Sequence, residues 1–233
     1  MDSTRLYIAV TSRETANLAA LFGKLEGLPV GVKIGLELFV REGPAIISRI
    51  KEAGFPLFLD LKFHDIPFTV AGAVKSACSF EPELINIHAS GGTEMMKAAA
   101  DAVEGKTRIL AVTVLTSLSS EDLAFMGFED ETSELVKRMA VSARDAGIHG
   151  VVCSPLEASI VRKAAGPGFL IVTPGVRPAG SEKADQKRTA TPFAAISSGA
   201  TSLVVGRPVT MAEDPRFAAE SILDEIARAM SER

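Results

Sequence analysis

Two carboxylates and an ammonium group lie close together in the segment Asp60-Leu-Lys-Phe-His-Asp65. The preceding apolar residues predict a buried strand over Leu57–Lys62, in which successive side chains point to opposite faces. Asp60 and Lys62 are two residues apart and therefore share a face. Charged side chains are rarely buried unless they are paired or serve a function. A lysine kept protonated by carboxylates can donate a proton or bind an anion, so the segment predicts a polar site at a strand end.

A second lysine, Lys33, lies inside another strand-like run, Val30–Ile34. One interpretation is an edge-strand lysine whose ammonium group extends to solvent. The other places Lys33 at the carboxyl end of its strand, facing Asp60 and Lys62 on the neighbouring strand. Alternating signs would then allow each group to stay charged despite partial burial. The second interpretation predicts a charge cluster of four residues: Lys33, Asp60, Lys62 and Asp65.

Two further segments have the composition of phosphate-binding loops. Gly206-Arg207-Pro208 follows the last strand-like run and begins a helical region, where barrel enzymes often bind phosphate through backbone N–H groups. The alternative for this segment is an ordinary turn. The long connection Pro174–Thr191 contains Arg177 and Gln186, and loops of this length are often lids or binding loops. It is either a lid whose two side chains close over a phosphate or a solvated surface loop.

The overall composition argues against several classes of protein. The chain has 233 residues, of which 47% are hydrophobic and 23% charged, and its net charge is −4. A nucleic-acid-binding surface would be basic and a membrane helix would need about 18 apolar residues in a row, so we expect neither nucleic acid nor membrane as a partner. The three histidines are too scattered to suggest a metal site. Cys78 and Cys153 are expected to be buried and reduced, and a cytoplasmic location is the default.

Strand-like runs alternate with helical patterns along the whole chain. The strand-like runs are Leu6–Thr11, Val30–Ile34, Leu57–Lys62, Leu84–His88, Arg108–Val114, Gly150–Ser154, Phe169–Thr173 and Ser202–Val205. The helical patterns are Glu14–Leu25, Pro44–Ala53, Thr69–Ser79, Thr93–Val103, Glu131–Ala146, Pro155–Ala165, Pro192–Ser198 and Pro215–Met230. These units favour a single (β/α)8 barrel, a TIM barrel, covering residues 1–233, over a doubly wound open sheet, which usually has fewer strands.

With these residues placed, the chain resembles the orotidine 5′-monophosphate decarboxylase family over nearly its whole length. The matching motifs occur in family order, and together they are specific although each is short. They are Lys33-Ile-Gly-Leu-Glu-Leu-Phe39, Asp60-Leu-Lys-Phe-His-Asp-Ile-Pro67 with Thr69, Leu115-Thr-Ser117, Pro174-Gly-Val-Arg-Pro178, Asp185-Gln-Lys-Arg188 and Val205-Gly-Arg-Pro208.

The resemblance implies a carboxy-lyase that converts orotidine 5′-monophosphate (OMP) to uridine 5′-monophosphate (UMP) and CO2, the last step of de novo pyrimidine synthesis, without a metal or organic cofactor. Lys62 would protonate C6 of the pyrimidine once the carboxylate leaves. Asp60 and Asp65 would surround the departing CO2, and Lys33 would link the ribose to the charges. A homodimer is implied, in which Asp65 and Thr69 reach into the partner's site.

The resemblance also implies where the rest of the substrate lies. Thr116 would lie near the pyrimidine, and the phosphate would be held by Arg177, Gln186, Gly206 and Arg207. Two positions depart from the family pattern. Where the family usually has an aspartate that contacts the ribose, Thr11 keeps a hydroxyl without the charge, and Phe68 replaces the usual asparagine before Thr69.

Two other functions stay open at this point. One is another phosphosugar enzyme of the same superfamily, such as a hexulose-phosphate synthase or a keto-gulonate-phosphate decarboxylase, which use Asp-x-Lys with Mg²⁺. Arg177 and the loop that holds Gln186 argue against it. The other is a non-catalytic nucleotide-binding relative, in which Thr11 and Phe68 would mark lost activity.

Overall fold

A closed barrel of eight parallel strands forms the centre of the protein, in which each strand pairs with its sequence neighbours and β8 pairs with β1. The computed structural model describes residues 4–177 and 189–232. The strands are β1 Leu6–Val10, β2 Val30–Gly35, β3 Leu57–Phe63, β4 Leu84–His88, β5 Arg108–Val112, β6 Gly150–Val152, β7 Leu170–Thr173 and β8 Ser202–Val205. The predicted TIM barrel is confirmed, with strand bounds within two residues of the sequence prediction.

Helices surround the barrel. They are α1 Leu18–Leu25, α2 Leu36–Glu42, α3 Ala45–Glu52, α4 Pro67–Cys78, α5 Thr93–Asp101, α6 Ser120–Phe125, α7 Thr132–Asp145, α8 Ala158–Ala165, α9 Pro192–Ser197, α10 Arg207–Thr210 and α11 Pro215–Ser231. Short 3₁₀ helices cover Ser12–Asn17 and Ala89–Gly91. Across residues 4–177 and 189–232, no helix combines the length and apolar character that crossing a membrane requires.

The strands are apolar on both faces because helices cover the outside of the barrel and side chains fill its inside. A small inner cluster of Tyr7, Phe58, Leu84, Leu110 and Val172 fills the barrel. The rings of Tyr7 and Phe58 meet edge to face, with centroids 5.6 Å apart. Phe58 also lines the cavity at the carboxyl ends of the strands, so this inner cluster forms the cavity floor.

The observed helices differ locally from the predicted ones, and α6 is also absent from the predicted helical patterns. The predicted helix Glu14–Leu25 is divided, because a 3₁₀ helix ends at Asn17 before α1 begins. Helix α2 was not predicted; it is only seven residues long and follows β2 directly, with Gly35 as its N-cap. The cysteine prediction is confirmed, since Cys78 and Cys153 are both buried and form no disulfide.

Candidate active site

A cavity of about 570 Å³ opens at the carboxyl ends of the strands. This is the end at which TIM barrels place their chemistry, because the βα loops converge there. Most of the residues predicted for the site line this cavity. They are Thr11, Lys33, Asp60, Lys62, Thr116, Arg177, Gly206 and Arg207.

Three charged side chains meet at the ends of β2 and β3. Lys33 Nζ lies 3.0 Å from Asp60 Oδ2, and Lys62 Nζ lies 2.6 Å from Asp60 Oδ1. Each ammonium group therefore has its own carboxylate oxygen. Asp60 is only 8% exposed. A buried carboxylate can stay charged here because the ammonium groups of Lys33 and Lys62 and the side-chain amide of Asn86 surround it. The structure brings these three predicted residues together.

The surroundings of Asp60 keep its carboxylate ionised. Burial by itself would raise its pKa, but the charges of Lys33 and Lys62 and the hydrogen bonds from Lys62 and Asn86 outweigh burial. The pKa of Asp60 falls from its ordinary 3.8 to about 2. At neutral pH the cluster therefore carries one negative charge between two lysines.

The backbone at Lys62 departs from a regular strand. Its φ is +52°, in the left-handed region that lysine seldom occupies, at a cost of roughly 1–3 kcal/mol. The pairing of β3 with β4 shifts register between Leu59 and Phe63. The predicted contact of Lys62 with Asp60 is present, but simple alternation along a strand does not produce it, because the chain turns at Lys62.

Asn86 on β4 stabilises this unusual geometry. Its Oδ1 accepts a hydrogen bond from the backbone N–H of Lys62 at 2.8 Å, and its Nδ2 donates to Asp60 Oδ1 at 2.7 Å. One buried amide thus holds both the acid and the lysine. Asn86 is not among the residues that the sequence predicts for the site. The available signal was an amide in the middle of the apolar strand Leu84–His88.

Asp65 and Thr69 do not line the cavity of their own chain. Asp65 Oδ1 accepts a hydrogen bond from the N–H of Ile66 at 2.7 Å. Both residues are exposed, at and just before the start of α4. The predicted cluster of four charges therefore has three members within one chain, and Asp65 lies apart from them.

The structure describes residues 174–177 and 189–191 of the long connection between β7 and α9. The predicted phosphate-binding residue Gln186 lies outside the described residues. Val176 and Ala190 form a parallel bridge, and the N–H of Arg177 donates to Ala190 O at 2.9 Å. Gly175 has a φ of +77°, which favours glycine at this turn. These contacts hold Arg177 at the cavity wall, partly buried.

The segment after β8 brings backbone close to backbone. Gly206 is the N-cap of α10, and a Cβ atom placed there would lie 3.4 Å from the carbonyl oxygen of Ala9. The ends of β8 and β1 are therefore close, and a Cβ atom at this position would be in ordinary van der Waals contact with β1. The next residue, Arg207, is exposed and lines the cavity, so a permanent positive charge faces the opening.

The loop after β1 contributes a carboxylate, that of Glu14, which is not among the residues that the sequence predicts for the site. Thr11 and Glu14 form a capping box, in which Glu14 Oε2 accepts hydrogen bonds from Thr11 N at 2.8 Å and from Thr11 Oγ1 at 2.7 Å. Glu14 Oε1 accepts from Thr210 Oγ1 at 3.0 Å. Burial would raise the pKa of Glu14, but the hydrogen bonds from Thr11 and Thr210 outweigh burial and lower it. Glu14 is therefore charged, and it lines the cavity.

The arrangement has two functional ends. One end of the cavity is formed by Lys33, Asp60 and Lys62. This end is suited to donating a proton and to stabilising negative charge that develops on a ligand. Arg177 and Arg207 form the other, suited to an anion such as phosphate. Fold and site together define a TIM-barrel protein whose cavity combines a lysine–carboxylate cluster with two arginines.

The amino-acid sequence of this chain matches one protein family over nearly its whole length. Residues 4–222 match the sequence profile of the Orotidine 5'-phosphate decarboxylase / HUMPS family, and the chain belongs to this family. The orotidine 5'-phosphate decarboxylase of Halorhodospira halophila is 48% identical over 97% of both chains. That of Nitrosomonas europaea is 43% identical over 99% of this chain and 100% of its own.

A solved structure agrees with the sequence relatives. The crystal structure of orotidine 5'-phosphate decarboxylase from Lactobacillus acidophilus superposes with a TM-score of 0.85 at 35% sequence identity, covering 96% of this chain and 99% of that one. The similarity therefore extends over the whole barrel and is not confined to single motifs.

Proposed function

We propose that this protein is an orotidine 5'-phosphate decarboxylase, a carboxy-lyase that converts OMP to UMP and CO2. The observation that carries the proposal is the Lys62 ammonium group 2.6 Å from the ionised Asp60. It lies in a cavity that also presents Arg177 and Arg207. Curated relatives that are 43–48% identical over nearly the full chain bear the same name.

Lys62 has the chemistry that the reaction requires. When the C6–carboxylate bond breaks, its electron pair stays on C6, and no adjacent π system can delocalise it. A fixed ammonium group stabilises this charge better than water, which must reorient. Lys62 then transfers a proton from Nζ to C6, which completes UMP, and it regains a proton from solvent.

Asp60 and Lys33 hold the proton donor in place. Asp60 accepts a hydrogen bond from Lys62 through one oxygen and from Lys33 through the other, so the Lys62 ammonium group is held in a fixed direction. The negative charge of Asp60 also disfavours the substrate carboxylate more than the neutral product. Phosphate binding at Arg177, Arg207, Gly206 and Gln186, with Thr116 near the pyrimidine, supplies remote binding energy that holds C6 against Lys62.

Ultraviolet absorbance of OMP mixed with the purified protein tests the proposal, since loss of the C6 carboxylate changes the chromophore. We expect turnover that a chelator leaves unchanged. Strong inhibition by a chelator, reversed by Mg²⁺, would favour the phosphosugar enzymes of the superfamily. Binding of UMP without any turnover would favour a non-catalytic relative.

Arg177→Ala is expected to weaken UMP binding by about 10- to 100-fold, the range for losing a charge-assisted hydrogen bond to phosphate. Uridine, which has no phosphate, should bind the variant and the natural protein about equally. Calorimetric titration of both ligands measures the two effects. Arg138→Ala is the matched control, because Arg138 pairs with Asp130 at an exposed site. Equal weakening of UMP and uridine by Arg177→Ala would contradict a phosphate contact.

We further propose a homodimer in which Asp65 and Thr69 complete the partner's site. Both are exposed, and neither lines the cavity of its own chain. Apolar side chains accompany them at the start of α4, with Ile66 65% and Phe68 88% exposed. Exposed apolar residues beside polar ones are typical of subunit contacts. In a two-fold dimer this surface would meet its own copy and bring each Asp65 towards the neighbouring Lys62.

The dimer predicts recovery of activity from two inactive variants. Asp65→Ala chains and Lys62→Ala chains are each expected to lack turnover. After mixing and subunit exchange in equal amounts, about half of the dimers are mixed, and each has one site without either lesion. About a quarter of all sites should then be active, which a steady-state assay measures. If exchange is demonstrated by mass spectrometry and no activity returns, each chain carries its own complete site.

The proposed reaction is the last step of de novo pyrimidine synthesis, and we place it in the cytoplasm. Both cysteines are buried and form no disulfide, which supports this location because disulfides are rare in reducing compartments.

A further inference from the structure

The proposed mechanism gives no role to three charged residues of the cavity wall, Arg13, Glu14 and Glu37. Glu14 lies in the loop after β1, and three hydrogen bonds hold its carboxylate: two from Thr11 and one from Thr210. Helix capping alone explains the bonds from Thr11. It does not explain the bond from Thr210, which comes from the segment after β8 and directs the other oxygen of Glu14.

The position of Glu14 in the barrel indicates which part of a ligand it would meet. The strand order around the barrel is β8, β1, β2, β3. Arg207 follows β8, whereas Lys33 and Asp60 belong to β2 and β3. Glu14 follows β1, between these two ends. A nucleotide with its phosphate at Arg207 and its base at the lysines must therefore lay its sugar across the end of β1.

The chemistry of Glu14 fits a sugar. An ionised carboxylate only accepts hydrogen bonds, and the hydroxyls of a ribose are donors. The backbone N–H of Thr11 is a fixed donor and keeps Oε2 in place. The hydroxyl hydrogens of Thr11 and Thr210 can rotate, so ligand hydroxyls can take up their positions on the carboxylate.

We propose that the Glu14 carboxylate, which lines the cavity between Arg207 and the two lysines, binds the ribose hydroxyls of the nucleotide. The proposal rests on the proposed function, because it assumes a ribonucleotide in this cavity. Thr11 and Thr210 are then positioning residues that direct the carboxylate. The consequence is selectivity for ribonucleotides over nucleotides that lack a 2′- or 3′-hydroxyl.

Binding of UMP, 2′-deoxy-UMP and 3′-deoxy-UMP to the natural protein and to Glu14→Gln tests this assignment without requiring turnover. The natural protein should bind UMP about 10- to 100-fold more tightly than at least one deoxy analogue, the range for a hydrogen bond to a charged group. Glu14→Gln keeps the shape of the side chain and removes the charge. It should lower UMP affinity by about tenfold or more, with little change for that analogue.

Two further variants separate ligand binding from loop structure. Thr210→Val removes one hydrogen bond to Glu14 and should reduce the preference for UMP less than Glu14→Gln does. The double variant Thr11→Asp/Glu14→Gln returns a carboxylate to the end of β1 and should restore the preference. If Glu14→Gln weakens UMP and both deoxy analogues equally, Glu14 is only a helix cap and the inference is wrong. Absence of OMP turnover in the natural protein would instead contradict the proposed function.

Discussion

Lys62→Ala is expected to lower turnover of OMP by a factor on the order of 10⁴ or more, because it removes both the proton donor and the positive charge beside C6. Binding of UMP should change by less than about tenfold, since the phosphate contacts remain. Stopped-flow or long-incubation assays measure the rate, and titration with UMP measures binding.

Lys75→Ala is the matched control for this variant. Lys75 lies on α4 and pairs with Glu104 at an exposed site, so its loss should leave turnover unchanged. Near-normal turnover in Lys62→Ala would show that another group protonates C6. Loss of UMP binding together with turnover would mean that the variant disturbs the whole cavity, and the role of Lys62 would then be tested with Lys62→Met, which keeps the length of the side chain.

Asp60→Asn is expected to lower turnover by a factor on the order of 10³, because Lys62 loses the charge that directs it. It should also destabilise the fold, since Lys33 and Lys62 would face each other across a neutral amide. The pKa of Asp60 is lowered to about 2, which corresponds to a stabilisation on the order of 2 kcal/mol. That stabilisation is fully present above pH 4 and is lost as the pH falls towards 2.

Urea unfolding of Asp60→Asn and the natural protein between pH 7 and pH 3 measures this contribution. The difference in free energy of unfolding should be constant from pH 7 to about pH 4.5 and should shrink below pH 4. A difference that grows on acidification would contradict an ionised Asp60 stabilised by the two lysines. Equal stability at pH 7 would show that burial of the carboxylate offsets the two ion pairs.

The sequence predicted the barrel because its evidence is local and repeated. Runs such as Leu84–His88 and Ser202–Val205 have the predicted bounds in the structure, since continuous apolar strands bounded by helical patterns allow few other folds. Lys33 and Asp60 could be placed together because parallel neighbouring strands end at the same edge. The structure gives the register, with Lys33 opposite Phe58 and Gly35 opposite Asp60.

The detailed geometry of the site depends on contacts between segments that are far apart in the sequence. The spacing of residues within one strand cannot predict such contacts. The left-handed conformation of Lys62 is stabilised by Asn86, which lies 24 residues away in the sequence. Glu14 reaches its place through Thr210, which lies 196 residues away. Asp65 was predicted beside Lys62 by its spacing, yet the turn into α4 directs its side chain to the N–H of Ile66.

The most direct measurement of the central claim follows both products of one reaction in heavy water. OMP labelled with ¹³C in its carboxylate is incubated with the natural protein in D2O, and the products are identified by nuclear magnetic resonance. We predict that all of the label appears as CO2 and bicarbonate, and that UMP carries one deuterium at C6 for each label released, with neither product formed by Lys62→Ala at a comparable rate. Unchanged OMP, or label retained on the pyrimidine, would contradict the proposed decarboxylation at Lys62.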